Sequence, residues 1–400
     1  MPGALVLMGS GETSPTMVEV HRAVARGLRP GARAVLLDTP YAFQENAADI
    51  SARARRYFAR SVGLEVEVAT GVTGADWVFS GPGSPTYALD RWAASGVAGD
   101  LRARVRSRQG VTVLTSAAAC TAGLATVPVY EIYKVGAEPH WREGVDLLET
   151  LGLRAVLIPH YDNAEGGTHD TRYCYLGERR LARMERELPS DTAVLGLDEH
   201  TALIVDLESE EVCVAGRGGL TVRRPGSVTV LPAGTRTSLA AVRDLAEGGT
   251  PGAVPPPGVA GPPEDTVTLE ETTRSCEELF KAAVAGPDLV AAAQLVLDLE
   301  AEIVKWAADT EEDSGGVDQA RELMRLLIAR LGEAAATAPL HPLVEPLLDL
   351  RAELRGSGRY ETADALRAAM ARGGVLVEDT PDGPRWSPAP QTGCIPGRRG

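Results

Sequence analysis

Ser116, His160 and Glu131 are the residues of this chain whose types and settings suit acyl-transfer chemistry. A serine hydroxyl is a weak nucleophile until a base takes its proton, and the base works best when an acid holds it. Ser116 ends the run VTVLT (111–115) and opens SAAAC (116–120), so a β-branched stretch gives way to small, helix-prone residues. That pattern reads either as a nucleophile raised on a strand-to-helix turn or as the serine N-cap of a buried helix. A G-x-S-x-G elbow wants small residues two before and two after the serine. Leu114 and Ala118 stand there; Ala118 meets the demand and Leu114 does not. His160, one of six histidines, follows the apolar run RAVLIP and opens the polar loop PHYDNAEGGTHDTRYCYLGERRL. It is either a base or a structural histidine at a strand end. Glu131 lies in VPVYEIYKVG among apolar and aromatic neighbours, as an acid or as an ion-pair partner of Lys134.

Other chemistries compete for the same stretches. Cys120 falls one turn into the presumed helix, where a cysteine packs as a small hydrophobe by default. His160, Asp162, His169 and Cys174 are all metal-ligand types within fifteen residues, yet no His-x3-His or CxxC spacing accompanies them. The Gly-rich GSGE (9–12) could cradle an anion, but it lacks a full dinucleotide fingerprint and any Walker lysine, so a tight turn is expected. No metal and no organic cofactor is expected.

These residues must be positioned by strands and helices. ALVLM (4–8), AVLLD (34–38), LEVEVA (64–69), DWVFS (76–80), VTVLT (111–115) and RAVLIP (154–159) are short apolar runs separated by helix-like segments. One such helix has Met17, Val20, Ala23 and Val24 on its apolar face. The alternation predicts an α/β fold: a doubly wound, mostly parallel sheet covered on both faces. AVLGLD, TALIVD, EVCVAG and SVTVL then follow closely and predict hairpins, an antiparallel edge. Ligands of such sheets bind beyond the carboxyl ends of the strands, where Gly9–Gly11, Gly81–Gly83 and Ser116 fall. The stretch 247–264 is rich in Pro and Gly and predicts a linker, and 389–400 a flexible tail. Between them the pattern turns helical. Leu289, Ala293, Val296, Leu299, Ile303 and Trp306 form one stripe, Leu323, Leu327 and Leu331 a second, and Leu347, Leu350 and Leu354 a third. GGVLVEDTPDGPRW (373–386) predicts a small hairpin. The expected domains are therefore 1–246, 265–342 and 343–388.

Bulk composition bounds the function. The 400 residues exceed one ordinary core, and 44% hydrophobic with 24% charged is globular. A formal net charge of -15 repels nucleic acid and anionic membranes at long range. Lysine occurs only at 134, 281 and 305, and arginine supplies the rest of the basic residues. Five scattered cysteines suggest no disulfide framework or zinc ribbon. No apolar run approaches the ~20 residues of a membrane helix, and MPGALVLMGSGE does not read as a signal peptide. A cytoplasmic setting is the expectation.

FSGPGSPTYAL (79–89), TSAAACTAG (115–123), PHYDN…GERRL (159–181) and LGLDEHTALIVD (195–206) occur in an order that resembles the dipeptidase E and cyanophycinase family of serine peptidases. The resemblance covers residues 1–235, and the last segment is its most specific part. It implies a fold like that of the class I glutamine amidotransferases and hydrolysis of a small peptide or amide bond, with acidic dipeptides or aspartate-rich polymers as the family's substrates. On that resemblance Ser116 is the nucleophile, His160 the general base and Glu131, between them in the chain, the acid. The N–H of Ala117 and one from Gly81–Gly83 would bind the oxyanion, and Arg179 and Arg180 the substrate carboxylate. Both elbow glycines of the family are replaced here, so a catalytically weak adaptor is the alternative.

Residues 343–386 resemble the C-terminal region of cysteinyl-tRNA synthetases, on the Arg-x3-Arg helix, ADALR (363–367) and EDTPDGPRW (378–386). Residues 275–331 match the preceding helical domain of those enzymes more loosely, and their HIGH and KMSKS-type signatures are missing. The resemblance implies contact with tRNA or a translation protein, for which Arg351, Arg355, Arg359, Arg367 and Arg372 would be the basic patch. Charge opposes this: residues 265–400 hold 24 acidic and 14 basic side chains, and nucleic-acid affinity rests on neutralising phosphates. Pairing with Glu353, Glu361 and Asp364 on solvated helix faces is the alternative use of those arginines, and a partner-binding or homodimer-forming module the alternative role.

Overall fold

The protein is described here by a computed structural model covering residues 3–166, 169–249, 267–286, 288–307, 316–337, 340–380 and 383–389. The expected linker and tail fall almost wholly outside the described residues. The described residues of 1–268 and 304–317 form one compact unit, and those of 269–303 and 318–400 another.

The first unit begins with β1 (Ala4–Met8), β2 (Ala34–Leu37), β3 (Val66–Val68), β4 (Trp77–Ser80) and β5 (Val111–Thr115). The short β6 (Ala125–Thr126) and β7 (Arg142–Glu143) pair with each other. Then come β8 (Ala155–Ile158), β9 (Ala193–Leu197), β10 (Thr201–Asp206), β11 (Glu211–Gly216), β12 (Gly219–Arg224), β13 (Ser227–Pro232) and β14 (Arg236–Ser238). The main sheet runs β14-β11-β10-β1-β5-β4-β2-β3. It is parallel from β1 to β3 and antiparallel from β1 to β14, a mixed, mostly parallel sheet.

Side-chain alternation explains why this sheet is covered twice. Leu5, Leu7, Val35, Leu37, Val78 and Leu114 feed one core, while Val6, Met8, Leu36, Trp77, Phe79 and Val113 feed the other. Successive residues of a strand face opposite sides, so continuous apolar runs bury both. Ala23 departs from its expected helix face: it is exposed, and His21 is buried beside Val20.

A second sheet, ordered β13-β12-β9-β8, departs from the expectation of one sheet closed by hairpins. β9 lies parallel to β8 and antiparallel to β12, and forms no hairpin with β10. The turn Asp198–His200 redirects the chain between sheets. The Asp198 N–H donates to the Gly219 carbonyl, and its carboxylate accepts the Gly219 N–H (2.8 Å). His200 turns at φ +50°. Leu157, Leu195 and Leu197 of this sheet pack into the same core as Leu7 and Leu114, so the two sheets share one apolar interior.

The second unit holds the helices Leu269–Ala285, Leu289–Trp306 as far as Ile303, Gly316–Thr337 from Asp318 onward, His341–Gly356 and Tyr360–Arg372, then the hairpin β15 (Val375–Thr380) and β16 (Gly383–Pro388). Val296, Leu299, Ile303 and Leu327 are buried as their spacing predicts. The third stripe is corrected: Leu347 and Leu350 are exposed, and Val344, Leu348 and Arg351 face inward with Leu354. The next helix and the hairpin together decide the face. Val344, Leu348, Met370, Val375 and Val377 form a local core, and the Arg351 guanidinium grips the Asp379 carboxylate with two bonds (2.7 and 2.8 Å).

Candidate active site

Ser116 sits where β5 becomes the helix Ser116–Cys120, with its backbone at φ +44°. A non-glycine residue there is strained, and such strain gathers where a side chain must be aimed. The elbow forms despite Leu114, because Leu114 is still in the strand, paired with Leu7 and Ser80, and its side chain enters the shared core. Ala118 matters more for spacing: its N–H donates to the Gly81 carbonyl (3.2 Å), joining the elbow to the segment after β4.

His160 follows β8 by two residues, also at positive φ (+48°). Its Nε2 lies 2.9 Å from Ser116 Oγ, and its Nδ1 lies 2.8 Å from Glu199 Oε1. A carboxylate only accepts, so Nδ1 carries the proton, Nε2 is the acceptor, and the serine hydroxyl donates to it. Glu199 is itself held. Asn163 Nδ2 donates to the same Oε1 (3.1 Å), and the Glu199 N–H donates to Asp162 Oδ1 (2.7 Å). The three groups thus come from the ends of β5, β8 and β9, on two sheets rather than one.

Electrostatics fit a base. Burial pulls His160 down, but the hydrogen bond and charge of Glu199, with the charges of Glu12 and Glu165, leave it above its ordinary value. Burial pushes Glu199 up, and the His160 bond and charge, with the Asn163 bond, hold it below the usual range. Each group stabilises the charged form of the other.

The acid expected from sequence is elsewhere. Glu131 Oε2 accepts from Thr86 Oγ1 (3.1 Å), and Lys134 lies over the Tyr130 ring instead of pairing with it. The carboxylate on the imidazole is that of Glu199. Its signal was present in LGLDEHTALIVD: two adjacent acids at the end of an apolar strand, in the segment most like the family. The resemblance pointed to a residue between Ser116 and His160, and the carboxylate at hydrogen-bond distance from the imidazole lies beyond both.

Ala117 is buried directly after the elbow. In the 81–83 segment Pro82 has no N–H, which leaves Gly81 and Gly83 as donors. Gly83 sits at φ +129°, where a side chain would strike the Pro40 carbonyl. Arg180 donates to the Leu176 carbonyl of its own helix (3.3 Å), and Arg179 is exposed; neither has a hydrogen bond to Ser116, His160 or Glu199.

Competing chemistries are occupied otherwise. Burial pushes the Cys120 thiol up to about 12, so it holds no thiolate at neutral pH. Of the metal-ligand types, His160 and Asp162 serve the serine network, His169 meets Tyr133 Oη (3.3 Å), and Cys174 is buried. Among the described residues no group of three or more His, Cys, Asp or Glu is arranged to hold a metal ion. No described helix is long and apolar enough to cross a membrane.

The expected arginine patch of the second unit is broken. Arg351 is buried on Asp379, Arg367 approaches the same carboxylate (4.0 Å), and Arg355 lies over Tyr360. Arg359 and Arg372 are exposed.

No family model matches the chain. It is similar to the cysteine–tRNA ligase of Thermus thermophilus, 31% identical over 136 residues, which are 31% of this chain and 28% of that protein. The Micrococcus luteus ligase is 32% identical over 130 residues, 31% of this chain and 23% of that one. The chain thus spans about a quarter of the length of the curated relatives it matches. Among solved structures, a peptidase from an acI-B1 Actinobacterium is similar over 60% of this chain and 97% of its own, with a TM-score of 0.44 and 20% identity. A peptidase E protein from Listeria monocytogenes covers 58% of this chain and 99% of its own, with a TM-score of 0.37 and 12% identity. At these levels the likeness is one of outline, and the chemistry rests on the side chains themselves.

Proposed function

We propose that the first unit is a serine-type hydrolase cleaving a small peptide or amide bond, with Ser116 as nucleophile, His160 as base and Glu199 as the acid that orients it. The observation that carries this reading is the unbroken proton path: Ser116 Oγ to His160 Nε2 at 2.9 Å, and His160 Nδ1 to Glu199 Oε1 at 2.8 Å. Ser116 attacks the substrate carbonyl as its proton passes to Nε2. Glu199 stabilises the imidazolium that forms, and the imidazolium then protonates the leaving amine. Water, activated by the same imidazole, releases the acyl group. The developing oxyanion takes the Ala117 N–H and that of Gly81 or Gly83, each such donor being worth about 100- to 1000-fold in turnover. Acidic dipeptides and aspartate-rich polymers are the first substrates to assay. A serine-directed fluorophosphonate tests the site: it should label the wild type and not Ser116→Ala. Equal labelling of both would remove the reading.

A second reading rests on the match to the cysteine–tRNA ligases, which takes in 31% of the chain. In it residues 265–388, with 343–388 as a distinct module, engage tRNA or a translation protein. Salt-dependent retention of tRNA by the full-length protein is the check, and no retention at low salt would discard the tRNA form of it.

A further inference from the structure

Glu12 lies in the turn after β1 that the Ser14 N–H closes on the Gly11 carbonyl, and it carries no exposed surface. Its main chain is pinned: the carbonyl meets His21 Nε2 at 2.7 Å. His21 is itself enclosed by the rings of Tyr57, Phe58, Trp77 and Phe79. Burial pulls His21 down to about 4, so at neutral pH it is an uncharged N–H donor to that carbonyl.

The side chain lies against Gly81. A Cβ built on Gly81 would lie 3.1 Å from Glu12 Oε1 and 3.3 Å from Thr115 Oγ1. The turn after β1 and the last residue of β5 therefore press on Gly81, so that a methyl group there would fit only if Glu12 or Thr115 gave way by a few tenths of an ångström. Gly81 is tied in turn to the elbow through the Ala118 N–H. An apolar residue would fill this space without the several kcal/mol that burying a carboxylate costs. The charge is felt at His160, together with those of Glu199 and Glu165. Asp162 and His200 are coupled to His160 and Glu199 as well.

We propose that Glu12 is a positioning residue of the hydrolytic site: its carboxylate seats Gly81 of the oxyanion segment and lends His160 negative charge as the imidazole takes the serine proton. This rests on the reading of Ser116 and His160 given above. The same charge opposes the oxyanion, so its two effects on rate have opposite sign, and pH dependence separates them.

The experiment is the rate of fluorophosphonate labelling of the full-length protein as a function of pH. In wild type the rate rises as His160 loses its proton. Glu12→Gln keeps the shape and removes the charge. Its midpoint should fall by roughly half a pH unit, because the imidazolium loses a stabilising neighbour. A folded Glu12→Gln protein with the wild-type midpoint would overturn the electrostatic half. Gly81→Ala presses a methyl on Glu12 and should lower the limiting rate at least tenfold with the midpoint unmoved. A limiting rate within twofold of wild type would overturn the seating half. Should Glu12→Gln not fold, Glu12→Asp keeps the charge and withdraws it from Gly81. A held midpoint with a lowered limiting rate supports the proposal, and a wild-type profile overturns it. Absence of Ser116 labelling in the wild type is a different result, since it strikes the hydrolase reading itself.

Discussion

The two units treat backbone strain and buried charge differently. Every described non-glycine residue at positive φ lies in the first unit, and Ser116, His160, Tyr173, Cys174, Tyr175 and His200 gather around the serine network. Tyr173–Tyr175 make three successive left-handed residues (φ +62°, +55°, +63°) in the loop that holds His160, where the Cys174 N–H donates to the His160 carbonyl (3.1 Å). Each such residue costs roughly 1–2 kcal/mol, which only a well-packed surround sustains. Tyr161 packed against Tyr173 with the rings tilted, and Arg223 clamped by Glu178 and Glu185, supply that surround. The second unit has no described non-glycine residue at positive φ, and its buried Arg351 is spent on joining a helix to a hairpin. Strain in the first unit aims side chains; polar burial in the second closes a fold.

That contrast can be broken or sharpened by experiment, and the largest effect belongs to the elbow. Ser116→Ala should lower hydrolysis at least 10⁴-fold with little change in thermal stability, because only the attacking atom is lost. A large drop in Tm would show the hydroxyl to be structural. Next, Glu199→Gln should cost about 10²- to 10⁴-fold in turnover by disturbing the His160 tautomer, whereas Glu131→Gln should stay within a few-fold. The reverse order would return the acid role to Glu131.

Stability against pH gives a smaller effect. His21 and His200 are both drawn down to about 4 by burial, against an ordinary 6.5. They are neutral when folded, while the unfolded chain takes up protons below pH 6.5. Their stabilisation is complete above that pH and is lost as pH falls toward 4, up to roughly 3 kcal/mol for the fully buried His21. The Tm should therefore drop between pH 7 and 4.5, and less steeply in His200→Gln; identical slopes would refute the assignment. Smallest is Arg351→Met, expected to loosen β15 and β16 by about 1–3 kcal/mol, since Asp379 is half-exposed and recovers water. Hydrogen exchange of the hairpin amides reads this directly. Labelling of Ser116 should be unchanged, and a parallel loss would tie the units together in a way the contrast denies.

Much of the architecture was legible. Apolar runs of four to six residues separated by helical segments pointed to a covered, mostly parallel sheet, because only strands buried on both faces read that way. Ser116 and His160 were legible for the same reason: each follows such a run. The third leucine stripe misled, since Leu347 and Leu350 share a helical spacing with Leu354 while Val344, Leu348 and Arg351 share another. Periodicity offers faces but does not say which one a hairpin will cover. Glu131 misled in a similar way, because an acid among apolar residues has several uses, and here it clasps Thr86.

What the residues alone determined is local: where strands begin and end, which side chains are buried, and that a serine and a histidine stand at strand ends. Such features depend on neighbours a few positions away. The partner of His160 was settled only by tertiary structure. The turn Asp198–His200 carries the chain from one sheet to the other, and that crossing brings a carboxylate 39 positions downstream to 2.8 Å from an imidazole. A hydrogen bond is selected by distance and direction in space, and neither is written in the order of the chain.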